Sequence, residues 1–141
     1  MIIKQLSVFL ENKSGRLTEM TEILGEADIN MTALSIAETS EFGIIRVVVS
    51  NPERAYQILK ENHFSVNLTD VICLSTPNKA GALARALRIL SNEGISVEYM
   101  YAFSLNDKAS VIIRTDEMKR TIQVLKDHEM ELIKASDMYD V

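Results

Sequence analysis

The chain has 141 residues, 47% of them hydrophobic and 25% charged, a balance that fits a folded soluble protein and argues against disorder. Its net charge of −5 is spread over both halves, and neither half offers the basic excess that phosphate backbones require, so no nucleic-acid partner is expected. No apolar run approaches a membrane span, the first residues lack a basic and apolar leader pattern, and a lone cysteine cannot form an internal disulfide; a cytoplasmic protein with no membrane partner is expected.

In chain order, Leu6, Val8 and Leu10 alternate at period two and predict a strand over 3–10. Asn12-Lys13-Ser14-Gly15 then leads into a helix over 16–26, with Leu17, Met20, Leu24 and Ala27 on one face and Glu19, Glu22 and Glu26 on the wet one. Residues 29–38 alternate again. Glu41-Phe42-Gly43 reads as a turn, and Ile44 to Val49 as a buried strand. Asn51-Pro52-Glu53 carries the marks of a helix start, and that helix runs to about Asn62 before a strand over 64–68.

The second half repeats the first at a shift of 66 residues without a gap. Asn12, Lys13, Gly15 and Leu17 fall on Asn78, Lys79, Gly81 and Leu83; Ile23, Leu24 and Ile29 fall on Ile89, Leu90 and Ile95; Arg54, Gln57, Leu59 and Lys60 fall on Arg120, Gln123, Leu125 and Lys126. The second copy therefore predicts strands near 71–76, 95–105, 108–115 and 130–134, helices near 81–92 and 117–128, and a hairpin turn at Asn106-Asp107. Each copy is a βαββαβ unit, so the expected fold is α+β, two tandem ferredoxin-like sandwiches with helices on one face of an antiparallel sheet. The expected domains are 1–69 and 70–136, with 137–141 a tail. Only Thr69-Asp70 separates the copies, too short for a flexible tether, so the two sandwiches are expected to sit against each other.

Catalytic signatures are missing. The central strands offer Leu6, Val8, Leu74 and Ile112 where an RNA-recognition module needs stacking aromatics. Arg16 and Asn12 match an acylphosphatase cradle only superficially, because this loop has one glycine. His63 and His128 end the second helices, where a solvated side chain is favoured by the helix dipole. Cys73, within Val71-Ile72-Cys73-Leu74, reads as a small buried hydrophobe. No metal site, cofactor or enzyme activity is expected.

The repeated loop is what remains, and two readings of it stand side by side. Free N–H groups at a helix start suit a carboxylate, glycine allows close approach, and an Asn amide matches both carboxylate and ammonium. Alternatively Gly15 and Gly81 serve the turn, and Asn12 and Asn78 cap it.

A βαββαβ unit opening with strand, Asn-x-x-Gly-x-Leu and helix resembles the ACT domain, a small-molecule-sensing module of regulated enzymes and regulators of amino-acid metabolism. Asn12, Gly15, Leu17, Ile29 and Asn30 carry the resemblance in the first copy, and Asn78, Gly81, Leu83, Gly94 and Ile95 in the second. It implies two units side by side in one eight-stranded antiparallel sheet, with ligand where the loop of one unit faces the second strand of its neighbour. One implied site joins Asn12, Lys13, Ser14, Gly15 and Leu17 to Ile95, Ser96 and Val97. The other joins Asn78, Lys79, Ala80, Gly81 and Leu83 to Ile29, Asn30 and Met31. Because Ser96 replaces the amide of Asn30, the Asn78–Asn30 site is the one expected to work. The resemblance thus implies a non-catalytic regulatory protein whose partner is a small molecule, an amino acid. The alternative is an interaction module with vestigial loops that docks a partner enzyme or a second copy through an edge strand, with Tyr99, Met100, Tyr101 and Phe103 concentrated on one strand.

Overall fold

Leu6, Val8 and Leu10 place their side chains on one face of β1 (Ile3–Glu11), as their alternation predicts. The computed structural model describes residues 1–11, 13–38 and 41–139. The chain forms two units: Lys4–Thr69 with the C-terminal segment from Ser136, and Asp70–Ala135 with Met1–Ile3.

In the first unit, β1 is followed by α1 (Arg16–Glu26), β2 (Met31–Glu38), β3 (Phe42–Val49), α2 (Pro52–Glu61) and the opening half of β4 (Ser65–Pro77). Strand β3 pairs antiparallel with β1 and β2, so Leu10 and Glu38 both stand opposite Gly43, and Val8 and Ile36 both opposite Ile45. Strand β1 lies between β3 and β4, where the Ser7 and Thr69 hydroxyls meet at 3.0 Å. Met20 and Leu24 of α1 and Ala55 and Leu59 of α2 bury against Leu6, Val8, Ile45 and Val47, and removing this apolar set from water is what holds the layers together. Helix α2 begins as its sequence predicts, with Pro52 at the first turn and the Asn51 side chain accepting from the Arg54 N–H at 3.3 Å. The Arg54 guanidinium also donates to the Ala27 carbonyl at 3.0 Å, tying α2 to the end of α1.

The second unit holds the closing half of β4, α3 (Ala82–Asn92), β5 (Val97–Leu105), β6 (Lys108–Thr115), α4 (Met118–Asp127) and β7 (Glu131–Leu132). Its strand order, β7-β4-β6-β5, repeats the order β4-β1-β3-β2 of the first unit. Its core is Ile72, Leu74, Ala86, Leu90, Val111, Ile113 and Leu125. A buried pair of hydroxyls, Thr115 and Thr121 at 2.7 Å, lies under α4. The chain leaves α1 through Asp28 at φ +58° and leaves α3 through the aligned Gly94 at φ +72°.

Four expectations are corrected. The described residues hold seven strands, not the eight of the expected sheet, because the last strand of one copy and the first of the next run together as the 13-residue β4, which passes through Thr69-Asp70. Phe42 and Gly43 belong to β3, not to a turn. The strand expected over 130–134 is only Glu131–Leu132. The expected tail instead forms α5 (Ala135–Tyr139). Met138 is buried, its carbonyl accepts from the Thr32 hydroxyl at 3.2 Å, and the Tyr139 hydroxyl accepts from the Lys4 N–H at 2.7 Å. These contacts attach the segment to the first unit.

Candidate functional site

The two loops share one geometry. Gly15 and Gly81 cap α1 and α3 at φ +89° and +87°, a left-handed backbone that an L side chain adopts only at a cost. Neither helix has a side-chain cap, so its first-turn N–H groups are not occupied by one. The Gly15 and Gly81 carbonyls accept from the Glu19 and Arg85 N–H groups at 2.9 and 3.0 Å, starting both helices identically.

Around that shared frame the side chains differ. Asn12 lies outside the described residues. Lys13 is exposed and bridges Glu11 at 2.8 Å, and this hydrogen bond and charge hold the Glu11 carboxyl below the usual carboxylate range. Asn78 is tied into the fold: its N–H donates to the Asp107 carbonyl at 2.8 Å and its side-chain amide to the Asn106 carbonyl at 3.0 Å, joining the loop to the β5–β6 hairpin. Ser14, Lys79 and Ala80 are exposed. Leu83 packs against the core of its unit, whereas Leu17 stays 39% exposed.

The second-strand residues are mostly structural. Ile29 and Ile95 are buried, and their N–H groups close the ends of α1 and α3 on the Leu24 and Leu90 carbonyls. Asn30 and Ser96 are clamped alike: the Asn30 N–H donates to the Ser50 hydroxyl at 3.1 Å and the Ser96 N–H to the Asp116 carboxylate at 3.3 Å. Both keep exposed side chains, while Met31 and Val97 pack against their cores.

Two of the expected residues, Lys13 and Leu17, share a groove of about 190 Å³ in the first unit. Leu10, Ile36, Gly43 and Ile45 form its floor and apolar side; Glu11, Arg16 and Glu38 join Lys13 in lining it. Arg16 is fixed there by Glu19 at 2.9 Å and by the Phe64 ring, 4.3 Å from the guanidinium carbon. The loop motif points to none of Glu11, Arg16, Ile36, Glu38 and Gly43. The signal for them lay in the aligned copies, which disagree at all five positions: Pro77, Ala82, Ala102, Ser104 and Ala109. In the second unit Lys79 lines a groove of about 400 Å³ with Thr76, Pro77, Asp107, Lys108 and Glu131, where Lys108 bridges Glu131 at 3.2 Å.

Elsewhere the chemistry is quiet. Cys73 is fully buried, and burial pushes its thiol up to about 11. His63 and His128 are exposed, His128 with Nδ1 2.9 Å from the Val124 carbonyl. Among the described residues no group of three His, Cys, Asp or Glu is placed to hold a metal ion, and no helix is long and apolar enough to cross a membrane.

Comparison with known proteins agrees with this architecture. The family described as an ACT domain pair matches residues 1–141. A Bacteroides thetaiotaomicron protein of known crystal structure is 55% identical, with a TM-score of 0.97 over 100% of this chain and 98% of that one. The ligand-free regulatory subunit of aspartate kinase from Thermus thermophilus is 13% identical, with a TM-score of 0.65 over 89% of this chain and 93% of that one. The corresponding Thermus flavus subunit is 14% identical, with a TM-score of 0.61 over 88% and 90%. At those identities the two subunits share the fold alone. The search of curated proteins gives no match.

Proposed function

From a chain that belongs to the family of ACT domain pairs, we propose a non-catalytic regulatory protein of the cytoplasm that binds an amino acid at its Asn-Lys-x-Gly loops. The observation that carries the reading is the repeated glycine-capped loop, which in both units opens a helix without a side-chain cap beside a lysine. Helix-start N–H groups favour a carboxylate, and the Glu11 carboxylate beside the first loop offers a partner for an ammonium. Asn30 and Ser96, aligned in the two copies, keep exposed side chains at the start of each second strand and are further candidates for ligand contact.

A thermal-shift panel of the common amino acids on the full chain tests this. A ligand at about 100 times its Kd adds about 2.7 kcal/mol of stability. Silence across the whole panel removes the sensing reading. Asn30→Ala and Asn12→Ala report which loop and strand contribute, read as loss of the ligand-induced shift rather than as the starting Tm. Asn78→Ala is read the same way, because its amide also braces the hairpin.

One observation favours a second reading. Among the described residues β2 pairs with β3 alone, and it exposes Leu34 and Ile36 at 48% and 52%. Such an edge suits docking of a partner enzyme or a second copy. Concentration-dependent sedimentation with no response to any amino acid would favour it.

A further inference from the structure

We propose that copies of this chain associate through their helices, the acidic helix layer of the first unit in one copy seating on the basic helix layer of the second unit in another. The inference uses neither the loops nor the β2 edge, and it stands apart from amino-acid binding.

It starts from a reversal of charge between the aligned copies. Glu19, Glu22 and Glu53 of the first unit fall on Arg85, Arg88 and Lys119 of the second, so three helix positions exchange a carboxylate for a cation. Taken as whole helices, α1 and α2 hold five carboxylates and three cations, whereas α3 and α4 hold five cations and one carboxylate. The net charge of −5 conceals this division.

Helix geometry turns the reversed charges outward. Met20 and Leu24 bury one side of α1, and Ala86 and Leu90 the matching side of α3. Glu22 and Arg88 stand midway between those pairs in sequence, hence on the opposite side, and both are exposed. Glu53 and Lys119 come two residues before the buried Ala55 and Thr121 and point outward in the same way on α2 and α4.

These four side chains are also available. Among the described residues none of them makes an ion pair or a side-chain hydrogen bond. Neighbouring charges of the other sign are engaged: Arg16 with Glu19, Arg54 with the Ala27 carbonyl, Glu93 and Glu117 with Arg120. Glu22 and Glu26 lie four residues apart and Arg85 and Arg88 three, spacings at which like charges weaken a helix. A facing layer of opposite sign relieves both helices at once.

The partner that fits is a second copy. Both layers repeat one arrangement of positions with the sign inverted, so each chain carries the complement of its own surface. A nucleic acid would meet the basic layer alone, against the acidic layer and the negative charge of the whole chain. Each layer is two helices of 10 or 11 residues, roughly 16 Å long at 1.5 Å per residue, which is small for a specific interface. The association is therefore expected to be weak and sensitive to salt.

Sedimentation velocity on the full chain over a wide range of concentration tests this. At about 0.1 M NaCl the Debye length is about 10 Å, which mutes repulsion between whole chains and spares ion pairs in contact; at about 1 M it is about 3 Å. The weight-average mass should climb with concentration in the first buffer and return to that of one chain in the second. Glu22→Arg with Glu53→Lys places the second copy's residues on the first unit and makes both layers basic. Arg88→Glu with Lys119→Glu makes both acidic. Each double variant should melt near the parent Tm and stay monomeric alone, and a mixture of the two should associate. A parent that is monomeric throughout, association that survives 1 M salt or either double variant, or a mixture that stays monomeric overturns the proposal. A monomeric parent that binds polyuridylate, and loses it with Arg88→Glu and Lys119→Glu, overturns it in favour of an acidic polymer.

Discussion

Gly15 and Gly81 show how single residues set the loops. Both sit near φ +90°, and no atom lies within 4 Å of where a Cβ would stand, so an added methyl costs backbone strain and no collision. Gly15→Ala and Gly81→Ala should each lower stability by about 1–2 kcal/mol in urea unfolding, with equal losses marking the loops as structural equals. Cys73 gives a second test. Burial raises its thiol from 9.0 to about 11 in the folded chain, so the folded state keeps a proton that the unfolded state gives up. The stability held by the neutral thiol is therefore complete below pH 9 and is lost as pH rises toward 11. Melting temperature should fall over that window more steeply in the parent than in Cys73→Ala. The glycines and the cysteine were legible in the sequence, one by repetition and the other by its apolar neighbours. Glu38 and Ile36 were not, because they meet Leu10 only through the register of β3, which no local pattern encodes.

The helices and most strands follow their periodicity because each buries a face of at least two turns or several alternating residues. Strand β4 and helix α5 escaped for opposite reasons. In β4 the polar pair Thr69-Asp70 imitates a break, yet the strand runs through it. Helix α5 has five residues, too few to show a period, and one buried anchor. Met138→Ala should remove about 2 kcal/mol, the lower end for deleting a buried Met side chain, since so short a helix can resettle. Exchange at the Lys4 backbone amide should quicken in the same variant, because the Tyr139 hydroxyl of α5 accepts from it. The second helices offer a gain instead. Asn51 caps α2, but Glu117 makes no side-chain cap at α4. Glu117→Asn should add roughly 0.5–1 kcal/mol in thermal unfolding, although it also removes the Arg120–Glu117 pair, exposed and worth little.

Across the whole chain, duplication preserved the scaffold and let the surfaces drift. The cores align at most positions, whereas Glu11, Arg16 and Glu38 beside the first loop fall on Pro77, Ala82 and Ser104 in the second copy. The same drift limited what the sequence could reveal. A motif found twice draws attention to what the copies share, while the charged residues around each loop lie where they differ.

Asp28 and Gly94 extend this to engineering. Both end a first helix with a left-handed residue, but only the second copy uses glycine there. Each half is thus a record of replacements that the fold has already accepted at the matching place in the other. Asp28→Gly is a substitution the molecule has in effect rehearsed, and a table of such pairs is a mutational library that needs no relatives.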